Sequence, residues 1–299
     1  MSSVRVEEPT LRRIVLERGV ALSRAGHDAW ICESACEDAP PADAFSLIGP
    51  ELKLRPVVIV HECSGRLHSA LLDCCRGPHP RWDTERAWYD AMRLGSGVEA
   101  AHTARAVEFH CVDLALGYAS VTSRHVRVWG DRAPGNRPVD YLAGRELGFR
   151  FEALVVAIWR CYNSLRRPLW ARFGESGSMP ASLPATLKQA GGIPQELAER
   201  VQVSLDRFGR RVKEYRDCIE HYVPVFFSDG ALMERRDPGF WACSVFVADN
   251  PVVRSTGGFT WHGRVDALSW GWRAAVEVLQ LANAIAAAAS VPDRGTAYR

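Results

Sequence analysis

The stretch PQELAERVQVSLDRFGRRVKEYRDCIEHYVP, residues 194–224, decides the fold class of this chain. Within it Leu197, Val201, Leu205, Phe208, Val212, Tyr215, Ile219 and Tyr222 recur at steps of four, four, three, four, three, four and three. Such spacing keeps the apolar side chains on one face of a helix with about 3.6 residues per turn. Pro194 suits the first helical position, and Glu196 sits in the first turn, where a carboxylate meets the positive end of the helix dipole. Pro224 stops the helix, and its ring disfavours helical geometry at Val223. One long helix with a buried stripe is expected here.

Similar patterns lie on both sides. Upstream, from Tyr141 onward, Phe151, Leu154, Val155, Ile158, Trp159, Tyr162 and Leu165 predict a second long helix, bent or ended by Pro168. A loop rich in Gly, Ser and Pro is expected from Gly174 to Pro184. Downstream, the apolar run Leu268–Ala289 carries Arg273, Glu277, Gln280 and Asn283 on one side, which describes an amphipathic helix docked on a core and not a membrane span. Between these helices, the aromatic and β-branched run Phe240–Val247, then Pro251, Thr256-Gly257-Gly258 and Phe259-Thr260-Trp261, predict a small antiparallel hairpin element at about 231–263.

The N-terminal part reads as helices at roughly 9–24 (Leu11, Ile14, Val15, Val20, Leu22), 57–72, Asp83–Met92 and Val98–Val121, with a loop over Asp28–Pro50 and breaks at Gly77–Pro80 and Gly130–Pro138. The expected fold class is therefore mainly α, a helical bundle with a small antiparallel β-hairpin element before the last helix. Residues 1–140 form a helical N-terminal region and 141–299 a bundle carrying the hairpin insertion, the alternative being one continuous domain.

Composition narrows the partners. With 299 residues, 47% of them apolar and 24% charged, the chain can bury a core without disulfides or metal. A net charge of +2 creates no global field for nucleic acid or cations. Of the 37 basic residues only Lys53, Lys188 and Lys213 are lysine; the rest are arginine, a bias that a GC-rich genome explains best, although arginine is also the better bidentate ligand for phosphate or carboxylate. Nine irregularly spaced cysteines suit reduced thiols, and the N-terminus has no continuous apolar run, so a cytoplasmic location without membrane attachment is expected.

Common chemistries are missing from the sequence. It has no Gly-rich phosphate loop, no Cys-x-x-Cys and no His-Glu-x-x-His. Cys32, Cys36, Cys63, Cys74, Cys75 and His79 match no zinc-finger spacing, so structural cysteine, no metal and no cofactor are expected. The tryptophans of the C-terminal half are expected mostly in the core.

The segment Tyr215–Tyr222 differs in kind. Arg216, followed by polar Asp217 and then by His221 five positions after the arginine, near a helix end at Pro224, resembles the motif of HEPN domains. A second Arg–His pair with this spacing, Arg105 and His110, lacks both the polar neighbour and the stop. The resemblance spans roughly residues 141–290 and implies an all-helical bundle, a homodimer in which two motifs form one site, and metal-independent RNA cleavage of a toxin or antiphage type, with a protein partner or antitoxin.

The residues themselves fit that chemistry. At about 100° per residue, His221 lies nearly opposite the apolar stripe and Arg216 on its flank. Asp217, one turn before His221, is placed to orient the imidazole. Cleavage by RNA's own 2′-hydroxyl needs an acid or base near neutrality, the role expected of His221, and a cation on the phosphate, the role expected of Arg216. Arg207 and Arg210 share the face of His221 and are the expected RNA contacts. The alternative is a non-catalytic helical interaction or ligand-binding protein, in which Arg216 simply pairs with Asp217 or Glu220 and His221 caps carbonyls.

Overall fold

The computed structural model describes residues 14–15, 20–25, 28–33, 57–63, 66–72, 97–129, 139–175, 177–226, 230–236 and 240–290. The chain divides into two compact units: Met1–Gly77, Val112–Phe151 and Val223–Arg273 form the first, and Pro78–Cys111, Glu152–Tyr222 and Ala274–Arg299 the second. Neither coincides with residues 1–140 or 141–299.

The described residues are mainly helical. The helices are α1 (Val98–Val128), α2 (Tyr141–Ser164), α3 (Arg166–Phe173), α4 (Leu183–Gln189), α5 (Gln195–Ser204), α6 (Arg210–His221) and α7 (Ala267–Ser290). Those expected at 98–121, from 141, from 194 and over 268–289 are all present, because each carries a buried stripe several turns long. Pro168 is the third residue of α3, where a missing N–H costs little. The loop expected to reach Pro184 ends earlier: the Ser182 hydroxyl accepts a hydrogen bond from the Ala185 N–H at 3.3 Å and starts α4.

The strands of the first unit are β1 (Ile14–Val15), β2 (Val20–Ala25), β3 (Asp28–Glu33), β4 (Val57–Cys63), β5 (Arg66–Leu72), β6 (Val139–Asp140), β7 (Ala231–Arg236), β8 (Phe240–Ser244), β9 (Phe246–Val247) and β10 (Val265–Asp266). A β-hairpin, β7–β8, does precede the last helix, but it is part of a larger antiparallel sheet in the order β1-β2-β3-β5-β4-β8-β7-β6. Its strands also differ in part from expectation: Ala231–Arg236 supplies the first, and Thr256–Gly258 is a turn of 3-10 helix.

The helices expected at 9–24 and 57–72 are corrected: the described residues there are strands, as is the start of the Asp28–Pro50 loop. The physical reason is legible in hindsight. Val57-Val58-Ile59-Val60 is an unbroken β-branched run, which packs better on a pleated sheet than in a helix. Cys63 pairs with Arg66 and Ala25 with Asp28, and in the sequence a glycine stands among the two residues that separate each pair. Ile59 then pairs with Ala242 and Val60 with Trp241, joining the early hairpins to the late one. The expected helix at Asp83–Met92 and the breaks at Gly77–Pro80 and Gly130–Pro138 lie outside the described residues.

Two long helices start from the same local device. β6 and β10 are both Val-Asp pairs, and each aspartate caps the helix that follows. Asp140 accepts from the Ala143 N–H at 2.9 Å and Asp266 from the Ser269 N–H at 2.9 Å. At the first junction the backbones nearly touch: a Cβ on Gly144 would lie 2.4 Å from the Gly230 Cα, and one on Gly230 2.6 Å from the Asp140 carbonyl oxygen. Gly230 also has a φ of +94°, which an L side chain rarely adopts. Gly144→Ala and Gly230→Ala are each expected to cost about 2–3 kcal/mol by urea unfolding, because backbone must move. Gly257→Ala, in open space, should stay within about 0.5 kcal/mol of the parent. Equal midpoints for Gly144→Ala and Gly257→Ala would refute this close approach.

The second unit is a helical bundle tied by polar contacts inside it. The Thr103 and Ser164 hydroxyls lie 2.7 Å apart, and Tyr162 Oη lies 2.9 Å from Ser204 Oγ. Burial pushes the Cys161 thiol up to about 12, so it is a neutral core side chain. Among the described residues no helix is long and apolar enough to cross a membrane. Arg273 is exposed and Glu277, Gln280 and Asn283 are half-buried on α7, in keeping with its amphipathic reading.

Candidate functional site

The helix that carries Arg216–His221 is not uniform. Between α5 and α6 the segment Leu205–Gly209 is a turn of π-helix, closed by the Arg210 N–H donating to the Leu205 carbonyl. The buried ladder runs Leu197, Val201, Ser204, Phe208, Val212, Tyr215 and Cys218. Leu205 and Ile219, expected in the stripe, are half-buried, and Tyr222 is exposed. One extra residue in the turn shifts the phase of everything beyond it, so a wheel drawn at constant pitch across residues 197–222 misplaces the faces.

This phase shift bears on Arg207 and not on Arg210, the first residue of α6. Arg207 lies in the π turn, with Glu277 Oε2 3.7 Å from its guanidinium, and Arg210 pairs with Asp206 one turn back at 3.4 Å. Both are exposed. Each guanidinium is compensated by a carboxylate at the surface; Arg207 lies within the π turn, whereas Arg210 opens α6 and, about three turns before His221, shares its face.

Around Arg216 the geometry is tighter. Its guanidinium donates to Asp217 Oδ1 at 3.0 Å and pairs with Glu220 through its other terminal nitrogen. Lys213 donates to the second oxygen of Asp217 at 2.8 Å. The Arg216 side chain is 27% exposed and that of Asp217 15%, so this is a sheltered helix-surface cluster. Burial alone would raise the Asp217 carboxyl, but the bonds from Lys213 and Arg216 outweigh it and hold the group below the usual carboxylate range. Burial likewise opposes the Arg216 charge, and Asp217 with Glu220 overcomes it. The Nε–H of Arg216 is buried and, among the described residues, has no hydrogen-bond partner.

The structure therefore brings Arg216, Asp217, Glu220 and Lys213 together and leaves His221 apart. His221 is exposed on the last turn of α6, as expected from its position opposite the stripe. Its ring meets Tyr222 edge-on at 6.3 Å. Both oxygens of Asp217 are taken by Lys213 and Arg216, and among the described residues no hydrogen bond or ion pair links Asp217 to His221. The expected orientation of the imidazole by Asp217 is corrected: the carboxylate orients the guanidinium instead. A guanidinium next in the chain and an ammonium one turn back take both oxygens, ahead of an imidazole one turn on. Lys213 was not singled out from the sequence, although its spacing of four to Asp217 is the signal for such a pair.

The other Arg–His pair, Arg105 and His110, lies within α1, which runs on to Val128. It has no helix end, in keeping with the preference for Arg216. Among the described residues no group of His, Cys, Asp and Glu is placed to hold a metal ion. Cys111, Cys161, Cys218 and Cys243 are buried thiols outside any disulfide.

A buried polar cluster in the first unit escaped sequence reasoning altogether. Asp266 accepts from Tyr118 Oη at 3.0 Å, the Val245 N–H at 3.1 Å, and the Ser269 N–H and hydroxyl at 2.9 Å each. Tyr118 Oη in turn accepts from the Leu268 N–H at 3.3 Å, and the Ala267 N–H meets the Val245 carbonyl at 2.8 Å. The first three N–H groups of α7 are thus all satisfied, which a buried helix start requires. Burial comes first in pushing the Tyr118 phenol well above its ordinary range, with Asp266 adding to it, so the hydroxyl stays a donor. This cluster is structural in its chemistry. No family model matches the chain, and neither a curated protein nor a solved structure is detectably similar to it.

Proposed function

We propose that this chain is a HEPN-like protein and that the end of α6 is a metal-independent RNA-cleaving site. The observation that carries the reading is the contrast between two side chains one and a half turns apart. His221 is exposed at a helix end and, among the described residues, has no hydrogen bond or ion pair that would compete for a substrate proton, whereas Arg216 is held at a fixed place by Asp217 and Glu220. The first is suited to proton transfer with a 2′-hydroxyl or leaving oxygen. The second keeps N–H donors beyond those used by the carboxylates and offers them to a phosphate as charge develops. Asp217 is a positioning residue for Arg216, and two copies of the motif meet across a homodimer. Arg207 and Arg210 contribute weakly to RNA binding, since each is partly neutralised by its own carboxylate.

The second reading, a non-catalytic helical interaction protein, is favoured by the same pairing of Arg216 with two carboxylates, which is also what a stable surface helix makes of these residues. Incubation of the full chain with labelled RNA in EDTA separates the two, beside Arg216→Ala and His221→Ala. Cleavage lost in both variants is the expected result. No cleavage by the parent chain at any concentration supports the interaction protein.

A further inference from the structure

Among the buried polar side chains of the described residues, His125 stands apart. The hydroxyls of Thr103, Thr122, Ser164, Thr186, Ser204 and Ser269 all have partners. His125, only 5% exposed on the last turn of α1, has none on either ring nitrogen. A neutral imidazole carries one donor and one acceptor, and leaving both buried and unmade opposes folding. What holds the ring is packing: its centroid lies 5.6 Å from that of Trp241 on β8, tilted by 59°.

The groups around it decide what a second proton would do. From α1 itself, Thr122 donates to the Tyr118 carbonyl and Arg124 is engaged with Glu146 at 3.1 Å. From β8, Cys243 shares the sheet face of Trp241, and burial, Asp266 and Asp140 push its thiol well up, so it is uncharged. From β7, Glu234 pairs with Ala242 and so belongs to the opposite sheet face, while Arg235 stands opposite Trp241 in register. From β6, Asp140 attracts a charge on the ring but makes no hydrogen bond to it; its Oδ1 caps α2. The carbonyl end of α1 also favours a cation. Burial outweighs these attractions, and the imidazole is held below its ordinary value.

We propose that His125 is an acid-operated latch: neutral, it is buried against Trp241; charged, it leaves, and the last turn of α1 loosens from the Ala231–Ser244 hairpin. The sign follows from linkage. With the folded state binding its proton less readily than the unfolded chain, stability is full above pH about 6.5, falls as pH drops below that value, and levels off below the folded value.

The test is amide hydrogen exchange on the full chain at pH 7.5 and pH 5, corrected for intrinsic rates, beside His125→Phe, which fills the site without titrating. Exchange over residues 118–129 and 240–244 is expected to rise several-fold at pH 5 in the parent and not in the variant. An equal rise in both, or none in the parent, overturns the proposal. Should His125→Phe fail to fold, NMR titration of the His125 ring in the parent decides: a midpoint below 6.5 with loss of the Trp241 contact supports the latch, and a midpoint at or above 6.5 overturns it.

Discussion

Asp266→Ala is expected to lower the unfolding free energy by about 3–5 kcal/mol, as much as any single change to the described side chains. Asp266 is 6% exposed and accepts four hydrogen bonds, two from backbone N–H groups and two from hydroxyls. The hydroxyls of Tyr118 and Ser269 can turn elsewhere, but the N–H groups of Val245 and Ser269 are fixed, the first between β8 and β9 and the second in the first turn of α7. Each left buried and unpaired costs about 1–3 kcal/mol. Loss of the cap also frays a 24-residue helix that carries much of the core. Asp266→Asn keeps the size but turns an amide NH₂ toward donors, so it should recover less than half of the loss. Tyr118→Phe removes one donor and leaves the Leu268 N–H without its acceptor, for about 1–2 kcal/mol. Urea unfolding followed by circular dichroism measures all three. A midpoint for Asp266→Ala within the equivalent of 1 kcal/mol of the parent would sink this account of the cluster.

How far the residues themselves foretold this is uneven, and the unevenness has a physical pattern. Helices with long one-sided stripes, such as Phe151–Leu165 and Leu197–Tyr215, were legible because burial on one face writes itself into the sequence every three or four residues. The N-terminal strands were misread because Leu11, Ile14, Val15, Val20 and Leu22 fit a helical period by accident, while the β-branched run at Val57–Val60 and the glycines at Gly26 and Gly65 carried the better signal. Nothing local could reveal that Val60 would pair with Trp241 across most of the chain. The π turn at Leu205–Gly209 left no mark in the hydrophobic spacing, so a wheel carried through it misplaces Arg207 but not Arg210, which shares one regular helix with His221. Exposure of His221 survived because it depends only on the last two turns. The Tyr118–Asp266 cluster joins residues far apart in sequence, and a buried aspartate is indistinguishable from a surface one until its donors are known.

For the proposed site, His221→Ala is expected to slow RNA cleavage by about 100-fold or more, the lower range for losing a positioned acid or base. Arg216→Ala should be comparable, because a cation on the phosphate in the transition state is worth about as much. The corrected role of Asp217 gives a sharper test than either. A carboxylate that holds the guanidinium matters only while the guanidinium is present. Asp217→Asn should therefore slow cleavage on its own, yet the double variant with Arg216→Ala should cleave no more slowly than Arg216→Ala alone. Combined with His221→Ala, the same change should add a further loss, since in this structure Asp217 makes no bond to the imidazole. The opposite pattern, with Asp217→Asn silent beside His221→Ala and additive beside Arg216→Ala, would return the carboxylate to the imidazole. Cleavage in EDTA unchanged in both Arg216→Ala and His221→Ala would take the reaction away from α6 entirely. The rates are measured under single-turnover conditions, so that RNA binding through Arg207 and Arg210 does not mask the chemical step.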